Sequence, residues 1–266
     1  MAIYDCFQYF NEDHMVELRL NILDEYVDYF VISESTRTHQ GKSKKINFDV
    51  NKFKKFKHKI KFIIADYKKE IDFDTHTGGE SPVEQHQRNS LIEGIKDAKP
   101  DDYVVLSDSD EIPDFTKIKN IDTTKKYLAF SQKMFMYKLN LQNLNESNWI
   151  GSKITKKRYI RSMQDLRNLK FKKYPFWRID KYNQEIVNGG WHFSFLQSPH
   201  QILTKIKSFS HGEFNKEGIN EKNIEEKILR NEDIFERKNK LKKVTIDNSY
   251  PDYIINNKDK LSNWII

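Results

Sequence analysis

Tyr103-Val104-Val105-Leu106-Ser107-Asp108-Ser109-Asp110-Glu111-Ile112-Pro113 places a run of apolar, β-prone residues directly before a cluster of carboxylates. A short apolar run of β formers reads as a strand buried on both faces, as in parallel sheets. In an open α/β sheet, ligands gather outside the carboxyl ends of such strands, and the acids emerge at that end. Asp108 and Asp110 stand two apart, so an extended segment points both the same way. Like charges so close favour a bound cation or proton over an empty site. A hard cation, Mg²⁺ or Mn²⁺, suits carboxylate oxygens and leaves its remaining positions to phosphate oxygens and water. The plain alternative is a turn with exposed acids, because D-x-D patterns are common. The position between an apolar strand and Ile112-Pro113 favours the functional reading.

The flanking sequence supplies the rest of such a sheet. Ile3–Phe10, Tyr29–Ser33 and Ile60–Ala65 are further β-prone runs. Between them, Met15, Leu18 and Ile22 recur at helical spacing over residues 13–25, and Val83, Leu91, Ile92 and Ile95 do so over 82–98. Alternating strands and helices predict a mostly parallel central sheet with helical cover over residues 1–115. Tyr127–Leu141 and Phe171–Phe195 read as further strands, the second broken at Asn188-Gly189-Gly190. Residues 219–243 read as a charged helix with Ile224, Ile228, Ile234 and Phe235 inward, followed by a polar-aromatic tail. The predicted organisation is one α/β domain over 1–215, split near residue 115 into two halves. A charged helical C-terminal extension over 216–266 completes it. No internal repeat and no Gly-rich phosphate loop appears.

The chain has 266 residues, a net charge of +7 and 13% aromatic residues, enough bulky rings for a core. A lone cysteine, Cys6, excludes a disulfide framework, a Cys-cluster zinc site and a cysteine-ligated iron–sulfur cluster held by this chain alone. The N-terminal stretch MAIYDCFQYFNEDH turns acidic before it builds a signal peptide, and no window approaches the roughly 18 apolar residues of a membrane span. A soluble, cytoplasmic protein is expected. The basic excess, with a pI near 9.1, is concentrated in runs such as Lys52–Lys59 and Lys238–Lys243, for which a solvated face is the plain reading.

Four other stretches carry chemistry. His192, in Gly189-Gly190-Trp191-His192-Phe193-Ser194, offers an imidazole ligand for Mn²⁺ beside glycines that permit close backbone approach; the plain alternative is a core histidine. Lys205, Lys207, His211 and Glu213 combine cations, an imidazole and a carboxylate, so that Lys205 can hold a diphosphate and Glu213 can act as a base; a decorated strand and turn is the alternative. Arg88, on the helix before the acidic strand, is placed to reach a phosphate or ribose, or simply to be solvated. Glu34, in Val31-Ile32-Ser33-Glu34-Ser35-Thr36, ends a strand in polar residues suited to hydrogen bonds with a base or sugar.

Taken in order, Tyr4-Asp5-Cys6-Phe7, Glu17-Leu18-Arg19-Leu20, Val27–Ser35, Thr38-His39-Gln40-Gly41, Gln87-Arg88-Asn89, Ser107–Pro113, Gly190–Ser194 and Ser208–Phe214 resemble glycosyltransferase family 17, whose eukaryotic members add the bisecting N-acetylglucosamine of N-glycans. The resemblance implies a GT-A-like, Rossmann-related single domain and a UDP-N-acetylglucosamine type of donor. It also implies a divalent metal held by the D-x-D pair, and a β-linkage formed from an α-linked donor, hence inversion. The chain departs from those members in lacking an N-terminal membrane anchor and stem, so an N-glycan acceptor does not follow. Its Lys-, Asn- and Ile-heavy composition fits a bacterial or viral source.

Inversion is a single displacement: an acceptor hydroxyl attacks the anomeric carbon while the diphosphate leaves from the opposite face. The expected site therefore comprises Asp108, Asp110 and His192 for the metal, with Glu34, Arg88, Asp108, Lys205 and His211 around the donor. The base is Glu213 or Glu111, with Glu213 preferred because a cation beside Glu111 lowers its basicity. Nucleotide sugar and glycan are the expected partners, without nucleic acid, and peripheral membrane contact stays open. Two rivals use the same residues differently. A metal-dependent nuclease needs clustered acids and a basic surface, and an RNA-binding module would use Lys52–Lys61 with Phe53 and Phe56 between the lysines.

Overall fold

The computed structural model describes residues 1–68, 81–120, 125–146, 148–172, 183–208 and 219–266. Strands β1 (Ile3–Gln8), β2 (Tyr29–Ser35), β3 (Ile60–Ala65) and β4 (Tyr103–Ser107) alternate with helices α1 (Asp13–Leu23) and α2 (Pro82–Ser90). They pair in parallel in the order β3-β2-β1-β4, with Cys6 opposite both Val31 and Leu106. The second half is built differently. Strands β5 (Glu111–Pro113), β6 (Tyr127–Met136), β7 (Leu141–Asn143), β8 (Trp149–Lys156), β9 (Gln184–Ser194) and β10 (Leu241–Lys243) extend the sheet beyond β4 as β8-β6-β7-β10, and every pair on that path is antiparallel. Only β9 runs parallel there, against β6. The sheet is thus mixed, and the expectation of a mostly parallel one holds for the first half alone. The reason lies in the connections: helical crossovers join parallel strands, whereas the four residues between β6 and β7 can only make a hairpin.

Alternation along β1 sends Tyr4 and Cys6 to one face and Asp5 and Phe7 to the other. Tyr4 and Cys6 pack with Val31, Leu91, Leu106 and Met163, while Phe7 joins a larger core with Val16, Leu20, Phe30, Phe130 and Phe193. α2 starts at the Ser81 side chain, which accepts from the Glu84 amide, with Pro82 in the first turn. The stretch expected to be helical to residue 98 tightens to a 3₁₀ turn over Leu91–Ile95. Gly94 lies there so close to β2 that a Cβ would stand 2.3 Å from Val31 Cγ1. The expected break at Asn188-Gly189-Gly190 is a register shift inside β9. At Gly190, φ is +115°, and a Cβ would meet the Ile112 carbonyl at 2.6 Å, so only glycine fits.

The C-terminal segment is no helical extension. Helix α5 (Glu221–Leu229) does bury Ile224 and Ile228, against helix α4 (Pro199–Ser208). Beyond it, β10 adds an edge to β7, and Ile246, Tyr250 and Ile254, the last on helix α6 (Asp252–Asn256), enter the main core. Trp264 stacks on His14 at 4.4 Å. The lysine run 238–243 therefore includes an edge strand, where charge discourages pairing with other chains. The basic run near Lys52 is committed to the fold as well. Lys52 pairs with Asp13, Lys55 and Lys59 with Asp24, and Lys61 with Asp97, while Phe53 and Phe56 are buried. These phenylalanines offer no stacking surface to RNA. Among the described residues, no helix is long and apolar enough to cross a membrane.

One ion pair fixes α1 to the sheet. Asp5 and Arg19 both have no exposure, and the guanidinium donates to both carboxylate oxygens at 2.6 and 2.7 Å. A buried charge stripped of its partner is strongly destabilising, whereas joint replacement by apolar residues is often neutral. Arg19→Ala is therefore expected to lower the unfolding free energy by about 3–5 kcal/mol in urea titrations. The Asp5→Leu/Arg19→Met double variant should recover part of that loss, the remainder reflecting the carbonyls of Asp108 and Glu111 that lose their Arg19 donor in both variants; a double variant as unstable as the single would refute the ion-pair account.

Candidate active site

At the carboxyl end of β4 the chain turns within three residues, the Glu111 amide donating to the Asp108 carbonyl at 3.1 Å, and returns as β5. β5 pairs antiparallel with β9, setting Glu111 opposite His192, and the Phe193 amide donates to the Asp110 carbonyl at 2.9 Å. The acidic turn and the histidine strand, far apart in sequence, thus meet. Asp110 Oδ1 lies 3.5 Å from His192 Nε2. The imidazole tilts against Trp149, 4.9 Å between centroids, and its buried Nδ1 has no hydrogen-bond partner among the described residues.

The turn is held from below by its own chain. Arg19 donates through Nη1 to the carbonyls of Glu111 at 2.5 Å and Asp108 at 3.3 Å. The fully buried Glu111 carboxylate accepts from the Asp108 amide (3.0 Å), Trp149 Nε1 (2.7 Å) and Arg167 Nη1 (3.2 Å to each oxygen). Above it stands a cationic wall. Arg167, on helix α3 (Met163–Asn168), donates to Asp108 Oδ2 at 2.6 Å. Arg88 lies 3.7 Å from Asp108 Oδ1 and is fixed by Glu84 (2.9 Å) and Gln164 (2.7 Å). Lys205, on α4, pairs with Glu12 at 3.5 Å.

Charge shifts four groups in this cluster, Asp108, Asp110, His192 and Lys205. Burial alone would raise both aspartates, but Arg167 and Arg88 hold Asp108 below the carboxylate range, and His192 with Lys205 holds Asp110 well below it. Burial would lower His192 and Lys205, yet the carboxylates raise both: Asp110 leads for His192, and Glu12 leads for Lys205. Two ligands of one divalent ion, each about 2.1 Å from it, stand roughly 3 to 3.5 Å apart, so the Asp110–His192 separation suits a shared cation. The ionised carboxylates suit it chemically, as does His192 Nε2, the ring nitrogen that faces Asp110, once it has given up its proton. Among the described residues, no group of three or more His, Cys, Asp or Glu converges to hold a metal alone, which leaves the remaining ligands to donor oxygens and water.

Of the residues singled out from sequence, Asp108, Asp110, Glu111, Arg88, His192 and Lys205 meet in this one cluster. Glu34 is engaged in its own loop: its carboxylate is buried, pairs with Lys44 and accepts from the amides of Asn47 and Phe48 at 2.9–3.0 Å. His211 and Glu213 lie outside the described residues. The sequence reading missed Arg167, Trp149 and Lys153, which sit in no motif. It also passed over the roles of Asp5 and Arg19, whose signal was there: single charges of opposite sign inside an apolar strand and an apolar helix face.

The sequence model of glycosyltransferase family 17 matches residues 1–240. No curated protein matches the chain significantly. Among solved structures, it is similar to 2-C-methyl-D-erythritol 4-phosphate cytidylyltransferase of Francisella tularensis (TM-score 0.34, 11% identity, over 71% of this chain and 91% of that one). HddC of Yersinia pseudotuberculosis is similar too (TM-score 0.33, 11% identity, over 73% and 89%), as is HddC complexed with GMP-PN (TM-score 0.31, 10% identity, over 73% and 89%).

Lys153 makes the electrostatics testable. It is buried and donates to the Arg167 carbonyl; burial, with Arg167, pushes its pKa down from 10.5 to about 8 against the pull of Glu111 and Asp108. Between those two values the unfolded chain keeps a proton that the folded chain has released, so this group makes stability rise with pH. Relative to Lys153→Met, the wild-type protein should gain on the order of 3 kcal/mol from pH 7.5 to 10.5. Paired urea titrations across that range measure it, and a flat difference would mean that Lys153 stays charged when folded.

Proposed function

The chain belongs to glycosyltransferase family 17, and on that premise we propose that the acidic turn after β4 receives the diphosphate of a UDP-sugar, of the UDP-N-acetylglucosamine type, in a GT-A-like, Rossmann-related fold. Membership makes it a glycosyltransferase with a sugar donor and an acceptor; the donor, the metal, the linkage and the residue roles are the proposal. One observation carries it: Asp110 and His192 stand 3.5 Å apart at the carboxyl end of a buried parallel strand, beside Arg88, Arg167 and Lys205. A divalent cation, Mn²⁺ or Mg²⁺, held by Asp110 and His192 beside the arginine-bound Asp108, with its other positions left to diphosphate oxygens and water, would offset the charge that develops on the leaving diphosphate.

The chain's own residues do the rest. Arg167 and Arg88, now turned to Asp108, and Lys205 supply fixed positive charge where the diphosphate gains negative charge, an electrostatic contribution that is often the largest in such sites. The acceptor oxygen bonds to the anomeric carbon as the bond to the diphosphate breaks on the opposite face, which converts an α-linked donor into a β-linked product. The acceptor proton passes to a carboxylate, and Glu213 is the one we assign. What favours it over Glu111 is that both Glu111 oxygens already accept from Trp149, Arg167 and the Asp108 amide. Glu111 then acts by holding the turn.

Two measurements follow. UDP affinity, read by calorimetry in Mn²⁺, should disappear in EDTA, because a diphosphate and two carboxylates repel without a cation between them, and should fall in Asp108→Ala/Asp110→Ala, which takes away the cation's carboxylate; undiminished affinity in EDTA would sink the metal assignment. Glu213→Gln should retain UDP affinity and lose about 10²- to 10⁴-fold in kcat, the usual size of general-base catalysis. Near-normal turnover would remove Glu213 from that role, and lost UDP binding would move it into the donor pocket.

A further inference from the structure

The face of the β5–β9 pair opposite the acidic turn carries a second feature. Glu111 and His192 are register partners on the catalytic side, so the next pair along, Ile112 and Trp191, points to the other side. There a cleft of about 1170 Å³ opens between the end of α1, the segment after the 3₁₀ turn of Val50–Phe56, the end of β5, β9 and the stretch 248–253. It is lined by none of the residues assigned to the reaction. Its volume exceeds the roughly 300–1,000 Å³ of an ordinary small-molecule site, which points to an extended ligand.

The lining identifies the chemistry of that ligand. Four lysines face the cleft: Lys55, Lys59, Lys117 and Lys133. Four carboxylates balance them: Asp24, Glu25, Asp114 and Asp252. Pairs form within the set, Lys55 and Lys59 with Asp24 at 3.1 and 3.0 Å and Lys117 with Asp114 at 4.0 Å. A cleft with no net charge and internally paired ions offers little to a polyanion such as RNA. Flat rings are present: half-buried Tyr26, stacked on Phe115 at 5.7 Å, and half-buried Tyr253. Such rings take the C–H face of a pyranose while their hydroxyls stay polar. The exposed amides of Asn148, Asn188 and Asn248 add donors and acceptors, and none of these side chains hydrogen-bonds within the described residues. Paired charges, amides and flat rings in one elongated cleft match a neutral polyhydroxyl chain.

We propose that this cleft binds a neutral oligosaccharide, a stretch of the acceptor glycan away from the hydroxyl that reacts. The choice of a glycan rests on the glycosyltransferase reading above; the choice of a neutral one rests on the balanced lining. Holding a remote part of the acceptor would raise its effective concentration at the reaction centre.

The test titrates the full chain, without donor, with neutral tetrasaccharides of glucose, mannose and N-acetylglucosamine and with a sulfated heparin tetrasaccharide, read by calorimetry and saturation-transfer NMR. UDP with Mn²⁺ is titrated in parallel. At least one neutral tetrasaccharide is expected to bind more tightly than heparin. Asn188→Trp, which adds bulk from an exposed position, and Tyr253→Ala should each weaken that binding tenfold or more. Circular dichroism of both variants confirms folding. The proposal is overturned if no neutral tetrasaccharide binds at millimolar concentration, if heparin binds better, or if both folded variants bind as well as wild type. A chain that takes up the tetrasaccharide through this cleft but never binds UDP would leave the cleft standing and remove the donor assignment; the converse would remove the cleft alone.

Discussion

The buried Asp5–Arg19 pair is the constraint from which the candidate site is built. An arginine with no exposure is tolerable only if its donors are all used, and here they are used in two directions: sideways to the carboxylate of the central strand β1 and upward to the carbonyls of Asp108 and Glu111. The same guanidinium that docks α1 therefore sets the height and path of the acidic turn. Everything above inherits that position. Asp108 faces Arg167, β5 leaves at the angle that pairs it with β9, and the pairing delivers His192 to Asp110.

This arrangement puts a positive wall in front of a negative turn before any substrate is present. Arg167 spans the gap between Asp108 and Glu111, so it is both a brace for the turn and a charge at its mouth. On the proposed reading, a diphosphate arriving there would compete with Asp108 for the same guanidinium. Fixed dipoles and ions need no reorganisation when charge moves, and a site whose cations are already tied down by carboxylates has that property.

Much of the first half was readable from the sequence because its strands are buried on both faces and therefore appear as uninterrupted apolar runs, with helical periodicity between them. Ile3–Gln8, Tyr29–Ser35, Ile60–Ala65 and Tyr103–Ser107 all form where those runs lie. The second half resisted because its strands are decided by partners. β7 and β10 are three residues each, too short to show a period, and the lysines of β10 look like a solvated helix until β7 is there to pair with. In the site, the acidic turn was visible because a strand end and a D-x-D pattern coincide, and His192 because two glycines precede it. Arg167 had no such marker: a single arginine on the six-residue α3 becomes significant only when folding brings it to Asp108. Arg19 and Asp5 were legible in principle, since a charge inside an apolar stripe asks for a partner.

The pairing of Glu111 with His192 also has a consequence in time. A ribosome adding about 5–20 residues per second delivers β1, α1 and β4 well before β9 and Lys205. The parallel half can assemble its sheet while the nascent chain still lacks the strand that completes the acidic turn. Until then the carboxylates of Asp108 and Asp110 would lack their histidine, and β5 would have no strand to join. That edge waits on the synthesis of β9 for its partner.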